Sequence, residues 1–338
     1  MRLLVTGGAG FIGSNFVKML LKRYSDYRIT VVDALTYAGN IENFTAEEWD
    51  NENFVFIHGD IRDKELMANL IRNADQIVHF AAETHVDRSI DNSDPFISTD
   101  IKGTQVLLET IRRFPVERFI HISTSEVYGS AQSVPMTEEH PLNPQSPYAA
   151  AKVGADRLAY SYYYTYDLPI VIIRPFNNYG PYQFPEKLIP LFITNAIEDT
   201  PLPVYGTGRN TRDWLFVEDT CEALERALLM EIEKIKGEVI NLGTGKDYDV
   251  LAITGYILEF LDKPKDLIRF VADRPGHVIR LVSSTEKAER LLDWHYKVDI
   301  EEGLRKTVDW YLTNEEWWRK LKGRVEYQSF YEKWYREM

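Results

Sequence analysis

The sequence predicts an α/β fold: a Rossmann-type, doubly wound parallel sheet with a smaller C-terminal α/β substrate domain. Short apolar runs alternate with amphipathic stretches from the first residue onward, and a glycine-rich turn joins the first pair. The runs are rich in Val, Ile and Phe and nearly continuous, which is typical of parallel strands buried on both faces. Strands that alternate with helices favour a parallel sheet covered by helices.

Six apolar runs predict strands, and four amphipathic stretches between them predict helices. The predicted strands are Leu3–Thr6, Ile29–Asp33, Phe54–His58, Ile77–Ala81, Phe119–Ser123 and Ile170–Arg174. The predicted helices are Ile12–Tyr24, Lys64–Asn73, Pro95–Phe114 and Tyr148–Tyr166. These elements lie in residues 1–176, which we interpret as a dinucleotide-binding domain.

The pattern changes after residue 176. Proline becomes frequent between residues 181 and 203, and we expect residues 177–338 to form mainly a second domain that binds substrate over the carboxyl edge of the sheet. Two later segments, Asp213–Met230 and Val239–Leu242, resemble further elements of the first domain. Residues 213–243, approximately, are therefore expected to return to it.

Composition narrows the possible partners. The 338 residues carry a formal net charge of −13, and such an acidic surface repels nucleic acid and anionic lipid. No apolar run approaches the ~20 residues that cross a bilayer, and the seven histidines show no metal-ligand spacing. The single cysteine, Cys221, cannot form an internal disulfide. We therefore expect a cytoplasmic protein without nucleic acid, membrane or metal partners.

The first turn carries the sequence GGAGFIG between a predicted strand and a predicted helix. Gly7, Gly10 and Gly13 lack a Cβ, which permits positive φ and lets a pyrophosphate approach the backbone. The phosphates then lie at the positive end of the helix. A glycine triplet alone is a weak signal, but its place in a strand–turn–helix unit favours a dinucleotide site over an ordinary glycine turn.

Carboxylates after the next two strands indicate which dinucleotide binds. Asp33 ends the second strand, 20 positions after Gly13, where it can bind both ribose hydroxyls and repel a 2′-phosphate. We therefore predict NAD rather than NADP. Asp60 and Ile61 follow the third strand and are expected to meet the adenine. The other candidate cofactor contacts are Phe11, Ile12, Ala81, Ala82, Tyr148, Lys152 and Asn177.

Tyr148 and Lys152 form a Tyr-x-x-x-Lys pair on a predicted helix, and this spacing places both on one face. Tyr titrates near ~10. The lysine ammonium and a nicotinamide cation would lower that pKa, so that Tyr148 becomes a usable base. Thr124, just after the fifth predicted strand, can hydrogen-bond the hydroxyl that is oxidised. Together the three residues form the short-chain dehydrogenase signature; the pair alone could be a buried Tyr and a surface Lys.

Glu126 adds a second kind of chemistry. It lies two residues after Thr124, so the two side chains face the same way in an extended chain. Hydride transfer alone needs no carboxylate there, whereas removal of a proton next to a new carbonyl does. The alternative is that Glu126 is a solvated loop residue.

Several longer segments carry a family resemblance. They are VDALTYAGN, AAETHVDRSI, SPYAAAK, NNYGPYQFPEKLIPL, YGTGRNTRDWLFVED, ADRPGH and RKTVDWYL. Through them the chain resembles the dTDP-glucose 4,6-dehydratases, which are extended short-chain dehydrogenase/reductases, over essentially its full length. The resemblance implies tightly bound NAD and a nucleotide-diphosphate sugar as the substrate.

The resemblance also implies a role for each catalytic residue. Tyr148 takes the proton of the sugar's 4-hydroxyl while hydride leaves carbon 4, and Lys152 holds the ribose and tunes Tyr148. Glu126 removes the proton on carbon 5, which the 4-keto group acidifies. Water leaves from carbon 6, where the hydride returns, and the product is a 4-keto-6-deoxy sugar nucleotide.

Ten residues in the matching segments are implied to contact the nucleotide, the phosphates or the sugar. They are His85, Asn177, Lys187, Leu188, Pro203, Tyr205, Arg212, Asn241, Arg274 and His277. Arginine suits this task because its planar fork pairs two phosphate oxygens. The alternative for Lys187, Arg212 and Arg274 is that they are ordinary surface charges.

The chain departs from the family at two positions. Ser125, between Thr124 and Glu126, replaces an Asp that is the proposed acid for the leaving 6-hydroxyl, and a serine hydroxyl is too weak an acid to replace it. GDP-mannose 4,6-dehydratases also have Thr-Ser-Glu, so Glu126 is our candidate to carry the proton from carbon 5 to the leaving oxygen. Asp100 stands where the family usually has Asn, and no functional reason for it follows from the sequence.

Three other functions remain as alternatives. UDP-glucuronate decarboxylases share Thr-Ser-Glu and the first oxidation, but they lack the VDALTYAGN and FPEKLIPL segments. A 4-epimerase needs no proton removal at carbon 5, so Glu126 argues against it. A silent NAD-binding sensor has no need of Thr124, Tyr148 and Lys152.

Five tyrosines lie in the second half of the predicted helix Tyr148–Tyr166. Aromatic side chains on several faces of a helix suggest burial on more than its sheet side. Related enzymes pair through this helix and the one before it, so we expect a homodimer. The alternative is that these tyrosines pack against the second domain.

Overall fold

A computed structural model of the chain describes residues 1–336. Its strands, in chain order, are β1 (Arg2–Thr6), β2 (Arg28–Asp33), β3 (Phe54–His58), β4 (Gln76–His79), β5 (Arg118–Ile122), β6 (Ile170–Pro175), β7 (Asn177–Tyr179), β8 (Leu202–Tyr205), β9 (Thr211–Phe216), β10 (Val239–Leu242), β11 (Asp247–Asp249), β12 (Ile268–Val271) and β13 (Arg280–Leu281).

The α-helices are α1 (Phe11–Arg23), α2 (Ala46–Trp49), α3 (Lys64–Ile71), α4 (Val86–Asp91), α5 (Asp94–Phe96), α6 (Thr104–Arg113), α7 (Pro147–Tyr166), α8 (Leu188–Ile197), α9 (Val217–Leu229), α10 (Ile232–Ile235), α11 (Val250–Phe260), α12 (Glu286–Leu292), α13 (Ile300–Thr313), α14 (Glu315–Lys322) and α15 (Val325–Tyr331). Short 3₁₀ turns cover Ile41–Asn43, Ser125–Tyr128 and Lys265–Leu267, and π-helical turns cover Ile97–Gly103 and Glu332–Arg336. Within residues 1–336, none of these helices has the length and apolar character needed to cross a membrane.

Seven parallel strands form the central sheet, in the order β10–β6–β5–β4–β1–β2–β3. The chain lays down β1, β2 and β3 in one direction and then places β4 on the other side of β1. The strand order therefore reverses between β1 and β4, and in such sheets a ligand crevice opens at the carboxyl ends of the strands beside the reversal. The predicted doubly wound parallel sheet is confirmed.

Helices cover both faces of this sheet. Along β1, Leu3 and Val5 are buried in one hydrophobic core, whereas Leu4 is buried in another. Side chains alternate across a strand, so the two cores lie on opposite faces. The first is closed by α1, α9 and α12, and the second by α3, α6 and α7. Burial on both faces explains why the strands are nearly continuous apolar runs in the sequence.

Part of the chain after residue 176 contributes to the central sheet. Val239–Leu242 is strand β10, which pairs in parallel with β6, and α9 packs against α1. The expected return begins later than residue 213, because residues 211–216 form β9 in a different sheet. Strand β9, which lies outside the central sheet, thus leads directly into helix α9, which packs on the central sheet.

The remaining C-terminal segments build a smaller α/β part. Strand β9 lies between β11 and β13 and also pairs with β7, while β8 pairs with β12. Helices α8, α11, α13 and α14 pack around a core that includes Phe192, Ile257 and Trp318. This core brings α8 and β8 over the carboxyl ends of the central strands, where their residues line a cavity.

The predicted helix Pro95–Phe114 is irregular. A short helix, α5, leads into the π-helical turn Ile97–Gly103, and α6 follows without a break. A π turn widens a helix by one residue and often occurs at functional sites. Asp100 lies in the middle of the turn and is 1% exposed.

The tyrosine-rich end of α7 does not pack against the smaller part. Tyr162 is buried in the core of the central sheet beside α6, whereas Tyr164 is 79% exposed and Tyr166 is also exposed. The alternative in which these tyrosines pack against the second domain is therefore wrong, because α7 lies on the central sheet and its last turns face outward.

Candidate active site

A cavity of about 670 Å³ lies where the crevice is expected, at the carboxyl ends of the central strands. The glycine turn, the end of β2 and the loops after β3 and β4 line one half of it. Residues of α8, β8 and β9 line the other half. Of the site residues predicted from the sequence, only Asn241 does not line this cavity.

The glycine turn is too tightly packed for side chains. Gly7 has φ of +70°, and a Cβ there would lie 2.4 Å from the backbone nitrogen of Ala81. A Cβ on Gly13 would lie 2.5 Å from the carbonyl oxygen of Gly7. Gly10 is the N-cap of α1, and no side chain caps that end of the helix. The first N–H groups of α1 therefore remain available to an anion such as a pyrophosphate.

Asp33 is fixed at the end of β2 by two backbone donors. The N–H of Ala9 donates to Oδ2 at 2.9 Å, and that of Leu35 donates to Oδ1 at 2.8 Å. Burial raises the pKa of Asp33, and these donors oppose that effect. The side chain lines the cavity, where its remaining lone pairs can accept ribose hydroxyls.

Asp60 lies at the outer edge of the same half of the cavity. It forms an ion pair with Arg62, whose hydrogen bonds lower the pKa of Asp60. Asp60 is therefore a negatively charged acceptor at this edge. The other predicted cofactor contacts that line this half are Phe11, Ile12, Ile61, Ala81 and Ala82.

Tyr148 and Lys152 project from α7 into the middle of the cavity. The Tyr148 side chain hydrogen-bonds Thr124, and the Lys152 ammonium donates to the carbonyl oxygen of Ile122 at 2.7 Å. Burial raises the pKa of Tyr148 and lowers that of Lys152. Tyr148 is therefore protonated near neutral pH in the free protein, and it needs additional positive charge nearby before it can act as a base.

Glu126 lies in the cavity beside these residues. Its backbone N–H donates to Thr124 Oγ1 at 3.2 Å, which starts the 3₁₀ turn Ser125–Tyr128. Its Oε1 is 3.8 Å from Nε of Arg212, and both side chains are mostly buried. Burial lowers the pKa of Arg212 to about 10, and Glu126 opposes that effect. Glu126 is thus not a solvated loop residue; Ser125, also buried, lines the cavity next to it.

Lys187 brings a positive charge to the other half of the cavity. Its ammonium donates to the carbonyl oxygen of Thr84 at 2.7 Å. Burial lowers the pKa of Lys187 to about 8, although Glu186 and Asp87 oppose that effect. Leu188, the next residue, begins α8 and also lines the cavity, as does Pro203 in β8.

Asp87 connects two further predicted residues. Nη1 of Arg274 donates to Asp87 Oδ1 at 2.8 Å, and the Tyr205 hydroxyl donates to Oδ2 at 3.1 Å. His277 lies nearby, with Nδ1 2.7 Å from Asp273 Oδ1. Burial, reinforced by Arg274, lowers the pKa of His277 to about 4, so this imidazole is neutral near pH 7.

Several residues that line the cavity carry a buried polar atom without a hydrogen-bond partner within residues 1–336. Asn177 Oδ1, His85 Nδ1 and Arg274 Nε are three such atoms. Leaving a buried polar atom unpaired costs about 1–3 kcal/mol, so their grouping on one cavity indicates a polar ligand. Across the described chain, no group of three or more His, Cys, Asp and Glu side chains is arranged to hold a metal ion.

The predicted role of Asn241 is wrong. Its side chain is fully buried, with Oδ1 accepting from the Tyr128 hydroxyl at 2.7 Å and Nδ2 donating to the carbonyl oxygen of Met136 at 3.1 Å. Both ends of the amide are therefore used inside the protein. In β10 the residue pairs with Arg174 and points away from the cavity.

Sequence reasoning missed several charged residues of the site. Glu83 and Asp87 lie in the loop and helix after β4, and Glu186 precedes Lys187. Glu186 is 1% exposed and accepts from Arg88 at 2.7 Å. Charged residues directly after a buried parallel strand were the available signal, because the carboxyl ends of such strands meet at the ligand crevice.

Comparison with known proteins decides the family. Residues 4–307 match the family model described as GDP-mannose 4,6 dehydratase. The chain belongs to the GDP-mannose 4,6-dehydratase family. Among its relatives, the dTDP-glucose 4,6-dehydratase of Streptomyces niveus is 47% identical over 95% of this chain and 96% of its own length. The low-salt glycan biosynthesis protein Agl12 of Haloferax volcanii is 49% identical over 94% of this chain and all of its own length.

A solved structure of the same fold supports the assignment of the cofactor site. DesIV, the dTDP-glucose 4,6-dehydratase of Streptomyces venezuelae, matches 95% of this chain and all of its own length, with a TM-score of 0.91 and 46% identity. That structure holds NAD. In this member of the GDP-mannose 4,6-dehydratase family, the uncapped start of α1, the missing Cβ atoms of Gly7 and Gly13 and the carboxylate of Asp33 fit the same cofactor.

Proposed function

We propose that this protein is an NAD-dependent 4,6-dehydratase that converts a nucleotide-diphosphate glucose, dTDP-glucose in particular, to the 4-keto-6-deoxy sugar nucleotide and water. The observation that carries the proposal is the place of Glu126. Its carboxylate lies in the cavity beside Thr124 and Tyr148. The names of the relatives described above support dTDP-glucose as the substrate.

The residues of the central sheet would carry the first step. NAD, when bound between α1 and Asp33, accepts hydride from carbon 4 and returns it at carbon 6. Tyr148 takes the proton from the 4-hydroxyl of the sugar. Thr124, whose side chain hydrogen-bonds Tyr148, holds that 4-hydroxyl in place. Lys152, fixed by the carbonyl of Ile122, supplies the positive charge that makes a phenolate accessible.

Glu126 would carry the second step. The ketone at carbon 4 acidifies the proton on carbon 5, and the Glu126 carboxylate removes it. The residue before it is Ser125, which cannot supply an acid for the leaving 6-hydroxyl. The protonated Glu126 therefore transfers the same proton to oxygen 6, and water leaves. Arg212, 3.8 Å away, holds the carboxylate of Glu126 inside the cavity.

The residues of the smaller part would hold the nucleotide diphosphate. Lys187, Arg212 and Arg274 supply positive charge, and charge-assisted pairs with phosphate are among the stronger hydrogen bonds. Asn177 and His85 also line the cavity and supply further polar side chains there. Because Asp87 fixes both Arg274 and Tyr205, this half of the site is preorganised.

A product assay tests the proposed function. The purified protein is incubated with dTDP-, UDP- and GDP-linked sugars, and the products are followed by mass. Loss of one water from dTDP-glucose is the expected result. Loss of carbon dioxide from UDP-glucuronate would identify a decarboxylase, and unchanged mass with altered stereochemistry an epimerase. No turnover of any sugar, with NAD still bound, would leave the sensor alternative.

We also propose that the protein acts as a homodimer that pairs through α7 and the helical stretch before it. Exposed apolar side chains on these elements support the proposal: Ile97 is 52% exposed and Tyr164 is 79% exposed. Replacing Tyr164 with a charged residue should shift the mass measured by light scattering from two chains to one, and an unchanged mass would contradict this pairing. The cytoplasmic location expected from the sequence stays a prediction.

A further inference from the structure

A chain of buried polar side chains starts at the turn that carries Glu126, and the reaction described above does not use it. It begins at Tyr128, the last residue of that 3₁₀ turn, and continues through Arg174 of β6 to Asp156 of α7. All three side chains belong to residues that are at most 1% exposed, and none of them lines the cavity. Any effect that they have on the reaction must therefore pass through their neighbours.

Hydrogen bonds of ordinary length join the members of this chain. Nη1 of Arg174 donates to the Tyr128 hydroxyl at 2.9 Å, and that hydroxyl donates to Oδ1 of Asn241 at 2.7 Å. Nε and Nη2 of Arg174 each donate to one carboxylate oxygen of Asp156, both at 2.9 Å. The guanidinium thus ties Tyr128 to Asp156, and its bidentate pair with the carboxylate fixes orientation as well as distance.

The network gives the turn a second anchor to α7. At the start of the turn, Thr124 Oγ1 accepts from the N–H of Glu126 at 3.2 Å, and the same side chain hydrogen-bonds Tyr148. At the end of the turn, Tyr128 is connected to Asp156, which lies about two helical turns after Tyr148 in α7. The turn also packs against α7. Glu126 therefore lies between two anchors to the helix that carries the catalytic tyrosine.

The backbone of the turn sets most of the position of the Glu126 carboxylate. Its Oε1 lies 3.8 Å from Nε of Arg212, which is an ion pair beyond hydrogen-bond distance. In the proposed reaction this one carboxylate must reach both the proton on carbon 5 and the leaving oxygen on carbon 6. A displacement of about 1 Å can slow a reaction step by about 10²-fold, so the elimination is sensitive to how firmly the turn is held.

We propose that Tyr128 is a positioning residue that holds the turn so that Glu126 can act on both carbon 5 and oxygen 6. The proposal rests on the proposed dehydratase function. The hydroxyl of Tyr128, bonded by Arg174, fixes the end of the turn. Oxidation at carbon 4 uses Thr124 and Tyr148 at the other anchor. Loss of the Tyr128 hydroxyl should therefore slow elimination more than oxidation.

The test measures oxidation and elimination separately in Tyr128→Phe, which keeps the buried ring and removes only the hydroxyl. In single turnovers of dTDP-glucose, the absorbance of NADH reports oxidation at carbon 4, and the mass of quenched products reports the loss of water. Oxidation should stay within about twofold of the wild-type rate, whereas elimination should slow by about 10–10²-fold. NADH and a 4-keto sugar that keeps its 6-oxygen should then accumulate. Both rates come from folded molecules that bind the sugar, so partial unfolding does not change their ratio.

Two further variants complete the design. Tyr179→Phe is the matched control, because Tyr179 is also fully buried, its hydroxyl has no hydrogen-bond partner within residues 1–336, and it does not line the cavity. Its ratio of elimination to oxidation should equal that of the wild type. Arg174→Lys keeps the positive charge but lacks the planar fork that joins Tyr128 to Asp156. It should slow elimination selectively, as Tyr128→Phe does.

Three results would overturn the proposal. A wild-type ratio of elimination to oxidation in Tyr128→Phe or in Arg174→Lys would show that the network does not position Glu126. Equal slowing of both steps would show a merely structural role. The same selective slowing in Tyr179→Phe would show that the ratio responds to the loss of any buried hydroxyl. If the wild type releases no water from dTDP-glucose, the dehydratase function itself fails and the positioning role with it, which the product assay reveals separately.

Discussion

At the scale of single residues, the chemistry depends on charges that burial makes unfavourable. Burial raises the pKa of Tyr148 and lowers that of Lys152, and so disfavours the charged form of each side chain. Burial also lowers the pKa of Arg212, which Glu126 opposes across 3.8 Å. The charged forms that catalysis needs are therefore stabilised by charged neighbours inside the cavity, as Glu126 stabilises the cation of Arg212.

Removing the Glu126 carboxylate should separate oxidation from elimination. In Glu126→Gln, Tyr148, Thr124 and Lys152 remain, so carbon 4 should still be oxidised. Proton removal at carbon 5 should slow by about 10²–10⁴-fold, the usual contribution of a positioned base. Quenched reactions analysed by mass should contain a 4-keto sugar that has kept its oxygen on carbon 6. Dehydration by this variant at the wild-type rate would mean that another group is the base.

The same residue scale predicts a pH-dependent stability effect of Asp100→Asn. Because the folded pKa of Asp100 lies above its unfolded value, the folded state binds more protons between about pH 4 and pH 7. The contribution of Asp100 to the free energy of unfolding of the wild type therefore falls as pH rises through that range. The total loss is up to about 4 kcal/mol, at 1.4 kcal/mol per pKa unit. In urea unfolding, the free energy of unfolding of the variant relative to that of the wild type should therefore increase between about pH 5 and about pH 8. An equal difference at both pH values would contradict the raised pKa.

At the scale of elements, the glycine turn and the start of α1 form the most restrictive local structure. Gly13→Ala would place a Cβ 2.5 Å from the carbonyl oxygen of Gly7. The turn must then shift, at a cost of about 1–3 kcal/mol, and NAD affinity should fall with it. Gly255→Ala is the matched control, because Gly255 lies in α11 with nothing within 4 Å of an added Cβ.

Thermal unfolding and NAD titration of the two glycine variants provide the measurement. Gly255→Ala should be neutral or stabilising, since Ala is favoured over Gly in a helix by about 1 kcal/mol. Gly13→Ala should unfold at lower temperature and bind NAD more weakly. Wild-type NAD affinity in Gly13→Ala would show that the close packing of this turn does not shape the site.

Most strands were predictable because the sheet is buried on both faces. Leu3–Thr6 and Phe54–His58, for example, lie within or coincide with observed strands. The π-helical turn was not predictable, since Ile97–Gly103 has the same apolar spacing as an ordinary helix. The predicted role of Asn241 was wrong for a related reason. The apolar pattern identifies β10 as a strand, but the side of β10 that faces the cavity depends on how β10 pairs with β6.

At the scale of the whole molecule, the candidate site lies between two cores. The central sheet supplies the glycine turn, Asp33 and the catalytic residues of α7, while the smaller part supplies Lys187 and Arg212. Motif spacing predicted the first set, whereas the family resemblance implied the second. It could not predict buried pairs such as Asp87 with Arg274 or Glu186 with Arg88, because these contacts join segments about 100 to 190 residues apart and depend on how the parts close over the crevice.

The most direct measurement of the central claim follows a deuterium label. dTDP-glucose carrying deuterium on carbon 4 is converted by the wild-type protein, and the product is examined by mass and NMR. A 4-ketone formed next to Glu126 should lead to loss of one water, with the deuterium recovered on carbon 6. A product that keeps its oxygen on carbon 6, or one whose deuterium stays on carbon 4, would contradict the account.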